Sequence, residues 1–312
     1  MNQRGVTLIE LLIGVSLGMI VTASIGQVLA LVSRDYKRSE TMVSMHEQAD
    51  MALQFLTQDL RMAGHWGLVR HGSELAGHSE VSNANPKGLA IPSRCDAGLL
   101  LDLAFALDTR PLSHWRCNIT ATATSDALVA RYASARVTTP QPNRLQIHST
   151  DNGGDVIVDG SAPGASALQQ LHDLKIMAYY VAERSALFPD LPVLRRLTLT
   201  ANSRRPLLID EEIAPGVEVM QIAVAIDTDA DRRADTVMQA NDPRLLERNV
   251  DGTARWQPLA VHIWLIIRSE HAGWPQQTAE QFQIGDLSYA APTDGHLRLM
   301  VSRTIRLRNH VD

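Results

Sequence analysis

The sequence is poor in cysteine and in aromatic residues. It has 312 residues with two cysteines, and phenylalanine, tryptophan and tyrosine together make up 4% of it. No histidine or cysteine lies at a zinc-like spacing from either cysteine, which argues against a structural zinc site. The five tryptophans are too dispersed in the sequence to define a stacking surface for single-stranded nucleic acid.

The chain has no excess of positive charge either. Its formal net charge is -5, so it has no general attraction to nucleic acid or to anionic lipid. Glycine and proline follow no repeating period, and 45% hydrophobic residues are enough for a packed core. A chain of this length can form one large domain or two small ones.

A credible catalytic set is missing as well. The stretch GVSLG, residues 14–18, fits the G-x-S-x-G nucleophile elbow of hydrolases. That elbow needs a sharp strand-to-helix turn that exposes Ser16, and nothing here breaks the helical pattern. The same stretch fits G-x-x-x-G, in which Gly14 and Gly18 let a second helix approach closely. We therefore predict a protein that is not an enzyme and that has no organic cofactor.

One long apolar run lies near the start of the chain. It extends from Val6 to Val32 and contains a single charged residue, Glu10. The run exceeds the roughly 20 residues that cross a bilayer as a helix. An acidic group there costs a few kcal/mol and usually has a partner or a function. A secretory signal is the alternative, but the run is too long for one and continues as a plausible helix beyond its end.

The residues around Glu10 resemble a known processing site. RGVTLIELL, residues 4–12, is similar to the cleavage site of type IV prepilins. The resemblance implies cleavage between Gly5 and Val6, N-methylation of Val6, and a role for Glu10 in assembly. Glu10 would neutralise the terminal ammonium of a neighbouring subunit, because buried charges are tolerated only in pairs. The alternatives are that Glu10 pairs with the amine of its own chain or reaches the membrane interface.

Two indications conflict on the orientation of the span. Arg4 precedes it and Arg34, Lys37 and Arg38 follow it, so the positive-inside rule alone would leave the bulk of the chain in the cytoplasm. Prepilins are inserted with the leader inside. The resemblance therefore implies a single-pass inner-membrane protein with a periplasmic head, which is later assembled into a pilus on the cell surface.

The apolar helix is expected to continue into an amphipathic half. Apolar residues recur at steps of three and four up to Ala63, and Gly64 is a natural end. A helix from about Thr7 to Ala63 would be about 85 Å long. From Leu99 onward, short runs of β type are separated by turns and predict antiparallel strands. The predicted strands are ALVARY (127–132), NRLQIHS (143–149), LKIMAYYVA (174–182), VLRRLTLTA (193–201), VEVMQIAVAI (217–226), LAVHIWLIIRS (259–269) and HLRLMVSRTIRLRN (296–309).

These elements predict an α+β fold of the type IV pilin kind, in which a long spine helix packs against an antiparallel β-sheet head. The predicted divisions are a leader at 1–5, a membrane and filament-core helix at 6–33, the amphipathic half of the helix at 34–64 and a periplasmic β-rich head at 65–312.

Four segments of the chain resemble the PilW family of minor pilins. They are DLRMAGHWG (59–67), GVEVMQIAVAIDTDADRRAD (216–235), VHIWLIIRS (261–269) and RTIRLRN (303–309). The resemblance implies a minor pilin in the tip or priming complex that initiates pilus assembly and so supports adhesion, twitching motility or DNA uptake. Its partners would be other minor and major pilins, the prepilin peptidase and the inner-membrane assembly platform. The alternatives are a minor pseudopilin of a type II secretion system and a membrane-anchored periplasmic enzyme.

The two cysteines, Cys95 and Cys117, would lie in the oxidising periplasm. There a lone pair most simply forms a disulfide, which would stabilise the fold by about 3 kcal/mol in the chain-entropy model. Two buried free thiols are the alternative.

An acidic stretch in the head has the spacing of a calcium loop. Asp227, Asp229, Asp231 and Asp235 occupy positions 1, 3, 5 and 9 of such a loop. Arg232 stands where glycine is expected, and Met238 replaces the bidentate glutamate. The stretch predicts either a Ca²⁺ site or a solvated, aspartate-rich turn.

Overall fold

A long helix and a head of β-sheets make up the computed structural model, which describes residues 7–76, 100–111, 121–161, 168–202, 205–274 and 279–309. Helix α1 is Leu8–Met62. Thr7 caps its start, because the Thr7 hydroxyl accepts a hydrogen bond from the backbone N–H of Glu10. Gly64 follows its end with φ 79°, a left-handed conformation that glycine adopts without strain. The predicted helix and its predicted end are confirmed.

The two halves of α1 lie in different surroundings. The large apolar side chains of the first half are exposed, and an 18-residue window there has a mean hydropathy of 2.2 and is 0% buried. By length and composition this helix could cross a membrane. The hydroxyls of Ser16, Thr22 and Ser24 donate to carbonyls four residues earlier, which satisfies them without water. From Met45 onward, one face of the helix is buried against the head.

The described part of the head contains fourteen strands in two sheets and a hairpin. The first sheet consists of β1 (Leu75–Ala76), β2 (Leu107–Asp108), β3 (Leu128–Val137), β4 (Pro142–Thr150), β5 (Gly153–Asp159), β6 (Gln169–Ala182), β7 (Val193–Asn202) and β8 (Arg205–Pro215). The second consists of β9 (Val217–Asp227), β10 (Thr236–Gln239), β11 (Gln257–Arg268) and β14 (Arg298–Arg306). The hairpin is formed by β12 (Gln281–Ile284) and β13 (Leu287–Ala290).

Strand β6 is the centre of the first sheet. One edge of β6 pairs with β3, while the other edge pairs with β4 over the first part of the strand and with β7 over the last part. Strand β5 continues the sheet beyond β4, β2 beyond β3, and β8 beyond β7. These pairs are antiparallel, and β1 adds a short parallel pair with β5. The predicted antiparallel head is therefore confirmed, with one small parallel addition.

The packed half of α1 and the inner faces of both sheets share one hydrophobic core. Strand β11 places alternate residues in this core: Val261, Ile263 and Leu265 are each 0% exposed and face it. Ile266 points to the opposite face, where it packs with Ile284 of the hairpin in a second, smaller cluster. The strand order of the second sheet is β10-β9-β11-β14, so β14 lies at an edge and contacts α1.

The segment just before β3 joins the two sheets. The backbone N–H of Asp126 donates to the carbonyl of Met220 at 2.8 Å, and the Asp126 carboxylate accepts the N–H of Ile222 at 2.8 Å. The side chain of Gln221 donates to the carbonyl of Thr124 at 2.9 Å. Burial raises the pKa of Asp126 to about 7, against the lowering effect of the Ile222 N–H, and the nearby charge of Asp286 raises it further. A titrating carboxyl therefore lies at the junction of the sheets.

We expect Asp126→Asn to stabilise the protein at pH 8 and to have little effect at pH 4. The pKa of Asp126 is higher in the folded protein than in the unfolded chain, where it is near 4. The contribution of this carboxyl to the free energy of unfolding is therefore fully present below pH 4 and is lost as the pH rises through about 7. Asparagine has no charge to bury and keeps an acceptor for the Ile222 N–H. The gain at pH 8 should be about 1 to 2 kcal/mol, measured by thermal unfolding of the full chain in detergent micelles. The exposed Asp151→Asn is the control, and an Asp126→Asn effect that does not change with pH would contradict this account.

Candidate functional site

The N-terminal end of α1 holds Glu10 in a defined place. The Glu10 Oε2 atom accepts the backbone N–H of Thr7 at 3.0 Å and the Thr7 hydroxyl at 3.0 Å. An acidic side chain in the first turn also complements the positive end of the helix dipole. The carboxylate is therefore fixed beside Thr7, although Gly5 and Val6 themselves lie outside the described residues.

The two glycines of the G-x-x-x-G stretch leave an open surface on α1. A Cβ added to Gly14 or Gly18 would meet no heavy atom within 4 Å apart from the helix's own nearby backbone. The two residues are four apart, so they lie on the same face of the helix. This face has the shape that close helix packing requires, and the nucleophile elbow is excluded because Ser16 lies inside an unbroken helix.

The packed half of α1 carries a carboxylate into the core of the head. Asp59 is 4% exposed, and its Oδ1 atom accepts the hydroxyl of Tyr132 at 2.6 Å. Its Oδ2 atom accepts the hydroxyl of Tyr179 at 2.5 Å and lies 3.8 Å from a guanidinium nitrogen of Arg196. Strands β3, β6 and β7 each contribute one of these partners. The guanidinium of Arg196 also lies over the ring of Phe55, 5.2 Å from its centroid.

This cluster compensates the cost of burying a charge. An isolated buried carboxylate is strongly unfavourable, whereas one that accepts two hydrogen bonds and faces a cation is tolerated. Burial raises the pKa of Tyr132 and Tyr179, and the charge of Asp59 raises both further. Both hydroxyls therefore stay protonated and keep donating. Asp59 is not among the residues predicted from the sequence, although a charge three residues after Leu56, on the edge of an apolar stripe, is the available signal.

We expect Asp59→Ala to lower the free energy of unfolding by about 3 kcal/mol, because it leaves two buried hydroxyls without their acceptor and removes the carboxylate that faces Arg196. Tyr179→Phe should cost about 1 to 2 kcal/mol, since Tyr132 still satisfies one oxygen. Asp50→Ala on the same helix is the matched control. Asp50 is 78% exposed and faces Arg303 at 3.5 Å, so its removal should matter little. Equal losses for Asp59→Ala and Asp50→Ala in denaturant unfolding of the full chain would refute a stabilising role for the cluster.

Two models of known protein families match parts of this chain. Residues 1–26 match the family model of the prokaryotic N-terminal methylation motif, and residues 178–309 match that of the type IV pilus-assembly protein W, PilW. These two matches support a PilW-like type IV pilin. A solved type IV-like pilin from Thermus thermophilus is similar at 12% identity and a TM-score of 0.38, over 85% of this chain and 97% of its own. No curated protein matches the chain.

The matches support a structural pilin subunit, and the prepilin motif together with the apolar half of α1 fits a membrane-anchored protein. Pilin family membership points to a non-enzymatic role. The PilW region begins within β6 and ends at a residue that contacts the spine helix. The side-chain amide of Asn309 donates to the carbonyls of Arg61, Met62 and Ala63 at 3.1 to 3.4 Å. These are carbonyls that the end of a helix leaves without a partner. The matched region therefore includes a cap for α1.

In this pilin the acidic loop after β9 is organised by its own carboxylates. Asp227 is buried and accepts the N–H groups of Asp229, Ala230 and Arg232 at 2.7 to 3.2 Å. Asp235 accepts the backbone N–H and the hydroxyl of Thr228, both at 2.7 Å. These two hydrogen bonds lower the pKa of Asp235.

The same loop brings together three of the four predicted calcium ligands. One carboxylate oxygen each from Asp227, Asp229 and Asp235 lies within 4.8 Å of the others, and Asp231 is not part of that group. The hydrogen bonds agree with the predicted aspartate-rich turn, and Ca²⁺ binding stays a prediction. Calorimetric titration of the full chain with Ca²⁺ tests it, and an absence of heat at millimolar metal would end it.

We expect Arg232→Gly to raise the free energy of unfolding by about 0.5 to 1 kcal/mol. Arg232 has φ 69°, a left-handed conformation that is strained for a residue with a Cβ and favourable for glycine. Its side chain is exposed, and its N–H bond to Asp227 is retained in the variant. Arg233→Gly, where φ is not positive, is the matched control and should be destabilising. Thermal unfolding of both variants measures the difference, and a loss of stability in Arg232→Gly would contradict it.

The predicted disulfide remains a prediction, because Cys95 and Cys117 both lie outside the described residues.

Proposed function

We propose that this pilin is a minor subunit of a type IV pilus that is incorporated in low copy at the tip or in the priming complex. The PilW match supports a pilus role over that of a secretion pseudopilin, and the large head suits a subunit of low copy number better than a repeating shaft subunit. The prepilin motif supports storage in the inner membrane, with cleavage between Gly5 and Val6 by the prepilin peptidase and N-methylation of Val6. The head would then lie in the periplasm before assembly.

The arrangement at Glu10 carries this proposal. Both hydrogen bonds from Thr7 go to Oε2, and none of the hydrogen bonds among the described residues uses Oε1. Oε1 is therefore free to accept the terminal ammonium of a neighbouring subunit while the cap stays in place. Such a pair neutralises two charges that would otherwise be buried alone as the helix leaves the lipid.

The exposed face at Gly14 and Gly18 supports the same step. Without side chains on that face, the spine helix of another major or minor pilin can approach closely, and close packing is the main attraction between helices in lipid. The inner-membrane assembly platform would deliver the subunits to one another. Adhesion, twitching motility and DNA uptake would follow from the pilus that this complex initiates.

We expect Glu10→Gln to reduce incorporation into pili at least about tenfold, with normal insertion and normal cleavage. Glutamine keeps an oxygen that can accept the Thr7 N–H but has no charge for an ammonium. Thr7→Ala is the matched variant, because it removes the hydroxyl of the cap and keeps the charge, and it should be incorporated normally. The measurement is the ratio of the subunit in sheared pili to that in the membrane.

Two outcomes separate the alternatives. Normal incorporation of Glu10→Gln would show that charge pairing between subunits is unimportant, and a defect only in Thr7→Ala would assign Glu10 to the cap alone. Gly5→Leu controls for processing, since it should leave the leader attached when the N-terminus is measured by mass spectrometry.

A further inference from the structure

The head has a large cavity beside the C-terminal end of α1. Its volume is about 820 Å³, which lies within the range of small-molecule sites. Five parts of the chain line it: the segment that follows α1, the residues around β2, the end of β9 with its acidic loop, the segment that leads into β11, and Asn309. Both sheets therefore contribute to its walls.

Aromatic rings form the apolar part of this cavity. Trp66 and Phe105 line it and are 3% and 5% exposed, so they are fixed in the core. Trp256 is partly exposed, and the guanidinium of Arg255 lies over its ring, 4.5 Å from the centroid. The indole nitrogen of Trp256 is shielded from solvent and has no hydrogen-bond partner among the described residues. The described part of the chain thus leaves one donor of this wall unsatisfied.

The polar part of the cavity contains exposed side chains of both charges. Arg70 and His71 supply donors, and Glu74, Asp229 and Asp251 supply acceptors. Asp251 is held in place because its Oδ1 atom accepts the backbone N–H of Thr253 at 2.9 Å and the Thr253 hydroxyl at 2.6 Å. Donors and acceptors therefore face the same space as the aromatic rings.

This combination restricts the chemistry of a ligand. An anion would meet four carboxylates, a cation would meet two guanidinium groups, and an apolar molecule would remove charged walls from water without replacing their hydrogen bonds. Hydroxyl groups both donate and accept, so they can satisfy walls of either sign. A ring with apolar C–H faces can also lie against the indole. We propose that the cavity is a binding site for a neutral saccharide.

The location of the cavity suits an external ligand. Gly64 and Asn309, which flank the end of α1, line the cavity. The 30 residues from Ser33 to Met62 extend about 44 Å along the helix, so the cavity lies at the end of α1 that is far from the apolar half. The proposal depends on the fold of the head alone and does not require the assembly step at Glu10.

The test uses the purified full chain in a detergent without a sugar headgroup, because maltosides and glucosides would compete. The probes are glucose, galactose, mannose, N-acetylglucosamine and their β-linked disaccharides at about 10 mM, with saturation-transfer NMR for detection and calorimetry for affinity. At least one neutral saccharide should bind. Asp251→Ala and Arg70→Ala should each weaken it about tenfold, because each removes a direct polar contact from an exposed side chain.

The control variant is Arg184→Ala, which removes an exposed arginine that does not line the cavity and should leave the affinity unchanged. Thermal unfolding of each variant verifies that the fold is retained. Absence of binding to every probe would overturn the proposal, as would binding that is the same in the two cavity variants and the control. Binding of N-acetylneuraminic acid or a charged peptide in place of the neutral sugars would overturn the assigned ligand class.

Discussion

The position of the head on the spine helix depends on one buried carboxylate. The apolar stripe of α1 would tolerate a rotation or a shift along the helix, because hydrophobic contact is not directional. Asp59 does not tolerate such a shift. Its burial is affordable only where Tyr132 and Tyr179 reach its two oxygens and Arg196 faces it. One hydrogen-bonded group therefore selects a single register for the whole packed half of the helix.

A second attachment joins the helix to the other sheet. The first sheet is fixed through Asp59, whereas Asn309, which follows β14 of the second sheet, caps the last carbonyls of α1. Gly64 adds a hydrogen bond from its N–H to the carbonyl of Arg131 in β3 at 3.0 Å. A force applied along α1 would thus be distributed over both sheets. The segment before β3 links those sheets to each other through Asp126.

Helices and strands of this fold could be predicted from the sequence where their apolar residues follow a simple pattern. The first half of the helix was predicted from the length of its apolar run and the second half from apolar residues at steps of three and four. Two of the seven strands were predicted from alternating apolar residues and the other five from short runs of β type between turns. Strand β8 was missed because Asp210, Glu211 and Glu212 interrupt its apolar residues. Strand β8 is stabilised by ion pairs across the sheet, in which Arg195 and Arg196 of β7 contact these acidic side chains. Such a pairing is visible only once the two strands are neighbours.

The same limit applies to the sites. Glu10 was predicted because a charge within an apolar run is conspicuous, but the Thr7 cap that leaves one of its oxygens free depends on geometry. Asp59 was not predicted because it stands between the polar residues Gln58 and Arg61, where a charge is typical of the solvated face of an amphipathic helix. The cavity joins residues that are up to 245 positions apart, from Gly64 to Asn309, so no local pattern could indicate it.

The exposed first half of α1 sets the energetics of any assembly step. Lipid chains are as apolar as leucine, so moving this half-helix from a bilayer into a bundle of similar helices gains little from the hydrophobic effect. The selectivity must then come from terms that lipid cannot supply. In the assembly that we propose, a close backbone approach at Gly14 and Gly18 would be one such term, and neutralisation of an ammonium by Glu10 would be another. The two glycines and one carboxylate would therefore decide which helices pack together, while the surrounding leucines and isoleucines keep the subunit in the membrane until they do.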